Sequence, residues 1–215
     1  MNQIPPPLPG GQENAVSLDG RAFLHAVVVV EHAPVYTLGT GSTSDNVLFD
    51  PDCPPYGASL VRTERGGEVT YHGPGQLVLY PILHLGEHNS SFKKDLHWYV
   101  SKLEESVILT LAEYGLSAGR KKGLIGVWVG DAKYCAIGVK VSKWVTMHGL
   151  ALNVSTDMEP FSYIVPCGIH EYAVGSLNSS RHVKCNVPLH EVKQRLLHNF
   201  ANVFDVTFAP PSMIW

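Results

Sequence analysis

Between Leu124 and Val154 the chain runs through three extended stretches with almost no chain between them: LIGVWV (Leu124 to Val129), AKYCAIGVKV (Ala132 to Val141) and WVTMHGLALNV (Trp144 to Val154). The joints are Gly130/Asp131 and Ser142/Lys143. Gly-Asp between two apolar runs is a hairpin signal, and hairpin-linked strands lie side by side in one sheet. The rest of the chain must therefore pack on or beside a sheet.

Other segments supply more of it. Ala22 to Glu31 (AFLHAVVVVE) is rich in β-branched residues and short enough to be a buried strand. His32 to Gly41 reads as a turn at Pro34 and Gly39, and the proline-bearing Ser42 to Gly57 as a surface excursion. Ser59 to Thr63 is a further strand, as is Gln76 to Leu85, in which Pro81 marks an edge or a bulge. Leu96, Val100, Leu103, Val107, Leu111 and Tyr114 recur at helical spacing within Phe92 to Tyr114, with Gly115 as the stop. Leu189, Val192, Leu196, Phe200 and Val203 do the same over Leu189 to Phe204. Pro160 to Pro166 is a loop that ends in Cys167 and Gly168. Strands outnumber helices and the helices interrupt them irregularly, which predicts an α+β (mixed α/β) fold: a mixed β-sheet flanked by helices.

A chain of 215 residues suffices for one substantial core. The expected organisation is a flexible arm over residues 1–20, one domain over 21–208 and a tail over 209–215. With 16 basic and 19 acidic residues the formal charge is −3, and the longest basic run is Arg120, Lys121 and Lys122, which argues against nucleic acid as a partner. No apolar run approaches the ~20 residues that span a bilayer. The cysteines at 53, 135, 167 and 185 form no CxxC pair, in keeping with free thiols in a reducing compartment.

Arg65 to Gln76 (RGGEVTYHGPGQ) carries four glycines and a proline in twelve residues. Such backbone can take positive φ and approach a ligand closely, while Arg65, Tyr71, His72 and Gln76 add polar groups; Gly and Pro are also plain loop punctuation. No Gly-Lys-Ser/Thr follows and a strand comes next, so neither a P-loop nor a dinucleotide fingerprint is present. Three further candidates stand out. Cys167, between Pro166 and Gly168, is either a reachable thiol or a small buried hydrophobe. Lys133, just past the Gly130/Asp131 turn, is either a cleft amine or a solvated lysine; a buried amine there could take a proton from a thiol. His72 and His148 are each an acid, a base or a hydrogen-bonded core residue. No pair among His72, His148, Cys135 and Cys167 has metal-ligand spacing, so no metal is expected.

Three blocks, RGGEVTYHGPGQLVLYPI (Arg65 to Ile82), GVWVGDAKYCAIGVKVSKWVTMHGLALNV (Gly126 to Val154) and IVPCGI (Ile164 to Ile169), together resemble the lipoyl(octanoyl) transferases, with a plastid and cyanobacterial flavour. The resemblance implies the biotin/lipoate protein ligase fold. It also implies cofactor-free transfer of an octanoyl (or lipoyl) group from acyl carrier protein to a specific lysine of a lipoyl domain, the first step of lipoate attachment. The acceptors implied are lipoyl domains of 2-oxoacid dehydrogenase complexes or the glycine cleavage H protein, with no nucleic acid and no membrane. By motif, the acyl-thioester cysteine falls on Cys167 and the lysine that activates it on Lys133. The acyl-binding elements fall on Arg65, Gly66, Gly67, Glu68, Val69, Thr70, Tyr71 and His72, on Ala136, Ile137 and Gly138, and on Gly149, Leu150 and Ala151, with His148 as an accessory group. The rival on the same fold is an ATP-dependent lipoate or biotin ligase. An organelle, plastid or mitochondrion, or the cytoplasm of a bacterium is the compartment implied.

Overall fold

The computed structural model describes residues 24–86, 91–165, 172–181, 183 and 186–209; the expected arm over 1–20 and all but the first residue of the expected tail lie outside them. The described elements, in chain order, are β1 (Ala26–Val30), β2 (Val35–Leu38), β3 (Ser59–Arg62), β4 (Thr70–His72), β5 (Gln76–Ile82), α1 (Leu96–Ala112), β6 (Ala118–Lys121), β7 (Leu124–Val129), β8 (Ala132–Ser142), β9 (Val145–Asn153), β10 (Ala173–Val174) and α2 (Leu189–Phe204).

The large sheet runs β1-β5-β9-β8-β7-β6, with β10 parallel to β8 at Ala132 and Lys133. The three expected stretches form its β7-β8-β9 meander, and the β8–β9 hairpin turns through Lys143 and Trp144, both at positive φ (49° and 65°) as a two-residue turn requires. A second sheet, β3-β2-β4, pairs β3 parallel and β4 antiparallel to β2.

Alternation in the strands separates two faces. Leu77, Leu79, Leu150, Leu152 and Cys135 join a core with Tyr99, Leu103, Val107 and Leu111 of α1 and Val192, Leu196, Phe200 and Phe204 of α2. Burying such side chains contributes roughly 1.5–3 kcal/mol each, so this layer dominates stability. A smaller core of Tyr36, Ala58, Val69, Tyr71, Phe161 and Ile164 backs the small sheet. The functional face of the large sheet looks toward that small sheet.

Several details differ from the sequence expectation. The first strand is an edge strand, not a buried one: β1 pairs with β5 alone among the described residues, and Val28 is 45% exposed. The supposed turn over His32 to Gly41 contains β2, and the glycine-rich stretch contains β4. The first helix starts at Leu96, capped by the Asp95 carboxylate, which accepts from the His97 and Trp98 amides. Leu96 itself is exposed, because the buried stripe runs instead through Tyr99, Ser106 and Thr110. Pro81 lies within β5, where pairing with β9 lapses after Leu79; the Thr146 hydroxyl bridges the gap by accepting from Leu83 N–H and donating to Pro81 C=O. The loop over Pro160 to Pro166 begins with a short 3-10 helix at Glu159–Tyr163.

Candidate active site

Between the small sheet and the open face of β5, β8 and β9 lies a cavity of about 330 Å³. Its far wall is set by which residues alternate outward: Gln76, Val78 and Tyr80 on β5, Ala136 and Gly138 on β8, and Gly149, Ala151 and Asn153 on β9. Most of these positions are polar or small, while the opposite faces of β5 and β9 carry Leu77, Leu79, Leu150 and Leu152. The near wall comes from β2, β3 and the Arg65–His72 stretch.

That stretch is pinned from both sides. Thr40 N–H donates to Arg65 C=O at 2.9 Å and Gly41 N–H to Gly67 C=O at 3.1 Å. Gly66 N–H donates across to Val139 C=O of β8 at 2.9 Å. Close approach at this point depends on Gly138, where a Cβ would lie 2.8 Å from Gly66 O and 3.1 Å from Arg65 Cδ. Arg65, itself buried, donates through Nη2 to Thr37 C=O and Oγ1 at 2.7 and 2.8 Å. A fixed positive charge thus borders the cavity.

His72 is 7% exposed. Its Nδ1 lies 2.7 Å from Gln76 Oε1, Gln76 Nε2 donates to Asn153 Oδ1 at 2.8 Å, and Asn153 Nδ2 donates to Gly175 C=O at 3.1 Å. A carbonyl can only accept, so the Gly175 end orients both amides, and Nδ1 of His72 carries the proton. Burial pushes the imidazole down to about 4, against a smaller opposing effect of the Gln76 hydrogen bond. At neutral pH His72 is therefore an uncharged acceptor at Nε2. His32 Nε2 and Tyr80 OH lie 2.7 Å apart beside it, and burial also lowers the pKa of His32 and His148.

Lys133 reaches the cavity through a β-bulge. β7 and β8 pair Val127 with Cys135 but Trp128 with Lys133, which leaves Tyr134 as a surplus residue on β8. Tyr134 and Cys135 both join the main core, while Lys133 and Ala136 both border the cavity. Lys133 is 8% exposed, with Nζ 4.9 Å from the Trp128 ring centroid. Gly126 (φ 128°) makes room behind it: a Cβ there would meet Cys135 O at 2.6 Å and Lys133 Cε at 3.3 Å.

Of the residues singled out in the sequence, Lys133, His148, Ala136, Ile137, Gly138, Gly149, Leu150 and Ala151 all line the cavity, as do Arg65, Gly67, Glu68, Val69, Thr70 and His72. Gly66 and Tyr71 do not line it; Tyr71 packs in the small core against Tyr36 and Phe161. Cys167, with Pro166 and Gly168, lies outside the described residues. The nearest described residues before and after it are tied down. Val165 N–H donates to Asn46 C=O, and Tyr172 leads into β10, where Val174 pairs with Lys133. His32, Tyr80, Asn153 and Trp128 escaped the sequence reading; for Tyr80 and Asn153 the available signal was a polar residue in an otherwise apolar strand. No group of three metal-ligating side chains forms among the described residues, and no helix there is long and apolar enough to cross a membrane.

The fold is shared with solved lipoate protein ligases. A lipoate-protein ligase A bound with ATP superposes with a TM-score of 0.70 over 86% of this chain and 74% of that one, at 18% identity, a likeness of fold alone. Residues 18–201 match the lipoyl protein ligase A/B catalytic domain, and the chain belongs to that family. An octanoyltransferase of Synechocystis sp. is 52% identical over 85% of this chain and 76% of its own length. A chloroplastic octanoyltransferase of Arabidopsis thaliana is 54% identical over 71% of this chain and 52% of its own length.

Proposed function

We propose that this chain is an octanoyltransferase whose catalytic unit spans residues 21–208, taking the octanoyl group from acyl carrier protein and delivering it to a lysine of a lipoyl domain, with Cys167 as the acyl carrier and Lys133 as its base. The supporting observation is the shared cavity: a buried lysine amine borders the same small-residue, apolar space as the motif residues Ala136 to Gly138 and Gly149 to Ala151. Such walls suit an eight-carbon chain.

The chemistry needs a thiolate, and an ordinary thiol with pKa ~8.5 is only a few per cent ionised at neutral pH. Lys133 accepts the Cys167 proton. The sulfur attacks the octanoyl thioester, the carrier's thiol departs with a proton, and octanoyl-Cys167 remains. The amine of the acceptor lysine then attacks that thioester, forming the amide and releasing Cys167, while Lys133 relays the proton. Thioester to thioester is nearly isoenergetic and thioester to amide is downhill, so no nucleotide drives the reaction. The acceptors in this reading are the lipoyl domains of 2-oxoacid dehydrogenases or the glycine cleavage H protein. The compartment is an organelle or a bacterial cytoplasm.

Incubation with octanoyl-acyl carrier protein should give a hydroxylamine-sensitive mass increase on the Cys167 peptide, and Cys167→Ala should abolish transfer. Transfer at the wild-type rate by Cys167→Ala, or activity with free lipoate that depends on ATP, would overturn the reading in favour of a ligase.

A further inference from the structure

The Lys133 amine has an aromatic neighbour with no place in the reaction just described. Trp128 stands across from it in the β7–β8 register, and Lys133 Nζ lies 4.9 Å from the centre of its ring. Trp128 is buried, and its indole Nε1 is buried too, without a hydrogen-bond partner among the described residues. A buried tryptophan ordinarily satisfies its N–H, so the polar handle does not explain an indole here. What the indole adds over a smaller apolar side chain is its π surface, the strongest of the side chains for a cation.

The surroundings use that surface consistently. Lys121 Nζ sits 5.1 Å from the same ring and 4.2 Å from the Tyr172 ring, and Tyr172 meets Trp128 edge-on at 5.2 Å. Asp131 pairs with Lys121 at 2.6 Å. We propose that Trp128 is a positioning residue for Lys133: its ring holds the lysine head group at the cavity wall, in place to exchange a proton with Cys167.

This inference rests on Lys133 being the base for Cys167. The Cys167 S–H bond breaks, the proton bonds to the Lys133 amine lone pair, and nothing else is consumed; the ring holds the amine in place for that exchange. Other groups around Lys133 are Cys135 in β8, kept neutral by burial with its pKa pushed up to about 12, and Glu104 of α1 behind it. Lys121, Asp131 and Tyr172 flank the tryptophan, and Arg65, Glu68, His72 and His148 line the same cavity. Replacing Trp128 leaves these ionisable groups themselves in place, while Lys121 and Tyr172 lose their contact with its ring.

The test compares the full chain with Trp128→Leu, Trp128→Phe and Lys133→Ala, reading iodoacetamide alkylation of the Cys167 peptide by mass spectrometry across pH, alongside octanoyl transfer. Trp128→Leu should move the alkylation midpoint up by about half to one pH unit and slow transfer several-fold at neutral pH. Trp128→Phe, which keeps an aromatic face, should fall between it and wild type, and serves as the variant if leucine is not tolerated. Wild-type midpoints in both tryptophan variants, with Lys133→Ala impaired, would overturn the role of Trp128 and leave the base assignment standing. An unchanged profile in Lys133→Ala would remove the base assignment, and this inference with it.

Discussion

His72 and Gln76 are joined by a 2.7 Å contact between Nδ1 and Oε1, and the chain of amides behind it, through Asn153 to the Gly175 carbonyl, settles which ring nitrogen bears the proton. The other nitrogen is left as a neutral acceptor in a residue that borders the cavity.

At pH 7, nitrogen chemical shifts should show His72 protonated at Nδ1 and bare at Nε2. Gln76→Leu removes the acceptor and strands Asn153 Oδ1 in a buried site, which should cost about 1–3 kcal/mol in urea unfolding. It should also mix the tautomers. A single Nδ1–H form persisting in that variant would refute the orienting role of Gln76.

The same burial makes His72 an acid-sensitive element. Its pKa is about 4 in the fold against 6.5 as a free side chain, so between those values the unfolded chain binds more protons. Its contribution is intact above pH 6.5 and declines as the pH falls toward 4, by an amount on the order of 3 kcal/mol. His72→Asn should flatten the loss of stability between pH 7 and pH 4, measured by denaturant unfolding at each pH.

Gly126→Ala would place a methyl 2.6 Å from Cys135 O and 3.3 Å from Lys133 Cε, at a φ of 128°. Strain of this kind costs about 1–3 kcal/mol. Because the methyl also pushes the lysine stem, octanoyl transfer should fall at least ten-fold, by more than the melting temperature would suggest. Equal activity in a folded Gly126→Ala protein would show that Lys133 has slack.

Ala151 lies opposite Val78 on one side and Ala136 on the other, on the cavity wall. Ala151→Leu should fill that space, cutting octanoyl transfer at least ten-fold while a butyryl donor keeps most of its rate. Competition between the two donors on one acceptor measures the ratio directly.

How much of this could be read from the residues depended on the sequence distance over which each element is determined. The β7-β8-β9 meander and α2 are set by local pattern and short turns, and α2 has the bounds its periodicity predicts, Leu189–Phe204. β2, β4 and β10 are two to four residues long and exist because a distant partner accepts their hydrogen bonds, as when Ala173 and Val174 align with Ala132 and Lys133. No local pattern announces such strands. The helix face was misjudged at Leu96 because Ser106 and Thr110 turn their hydroxyls back onto α1 carbonyls and so pack in the core as near-apolar residues. At the site, the glycine-rich stretch and Lys133 carried a motif. His32 and Tyr80 carried none, since the groups around them come from segments far apart in the chain, and Trp128 carried none because an aromatic in an apolar strand reads as core.

The surplus residue in β8 has a wider effect. Lys133 is two positions from Cys135, a sulfur sealed beneath the helices and strongly held as the thiol. On a straight strand, residues two apart share a side, and the amine would be wired to that decoy. The bulge at Tyr134 instead sets the lysine at the cavity wall and the sulfur in the main core, so two near neighbours in sequence face different surroundings.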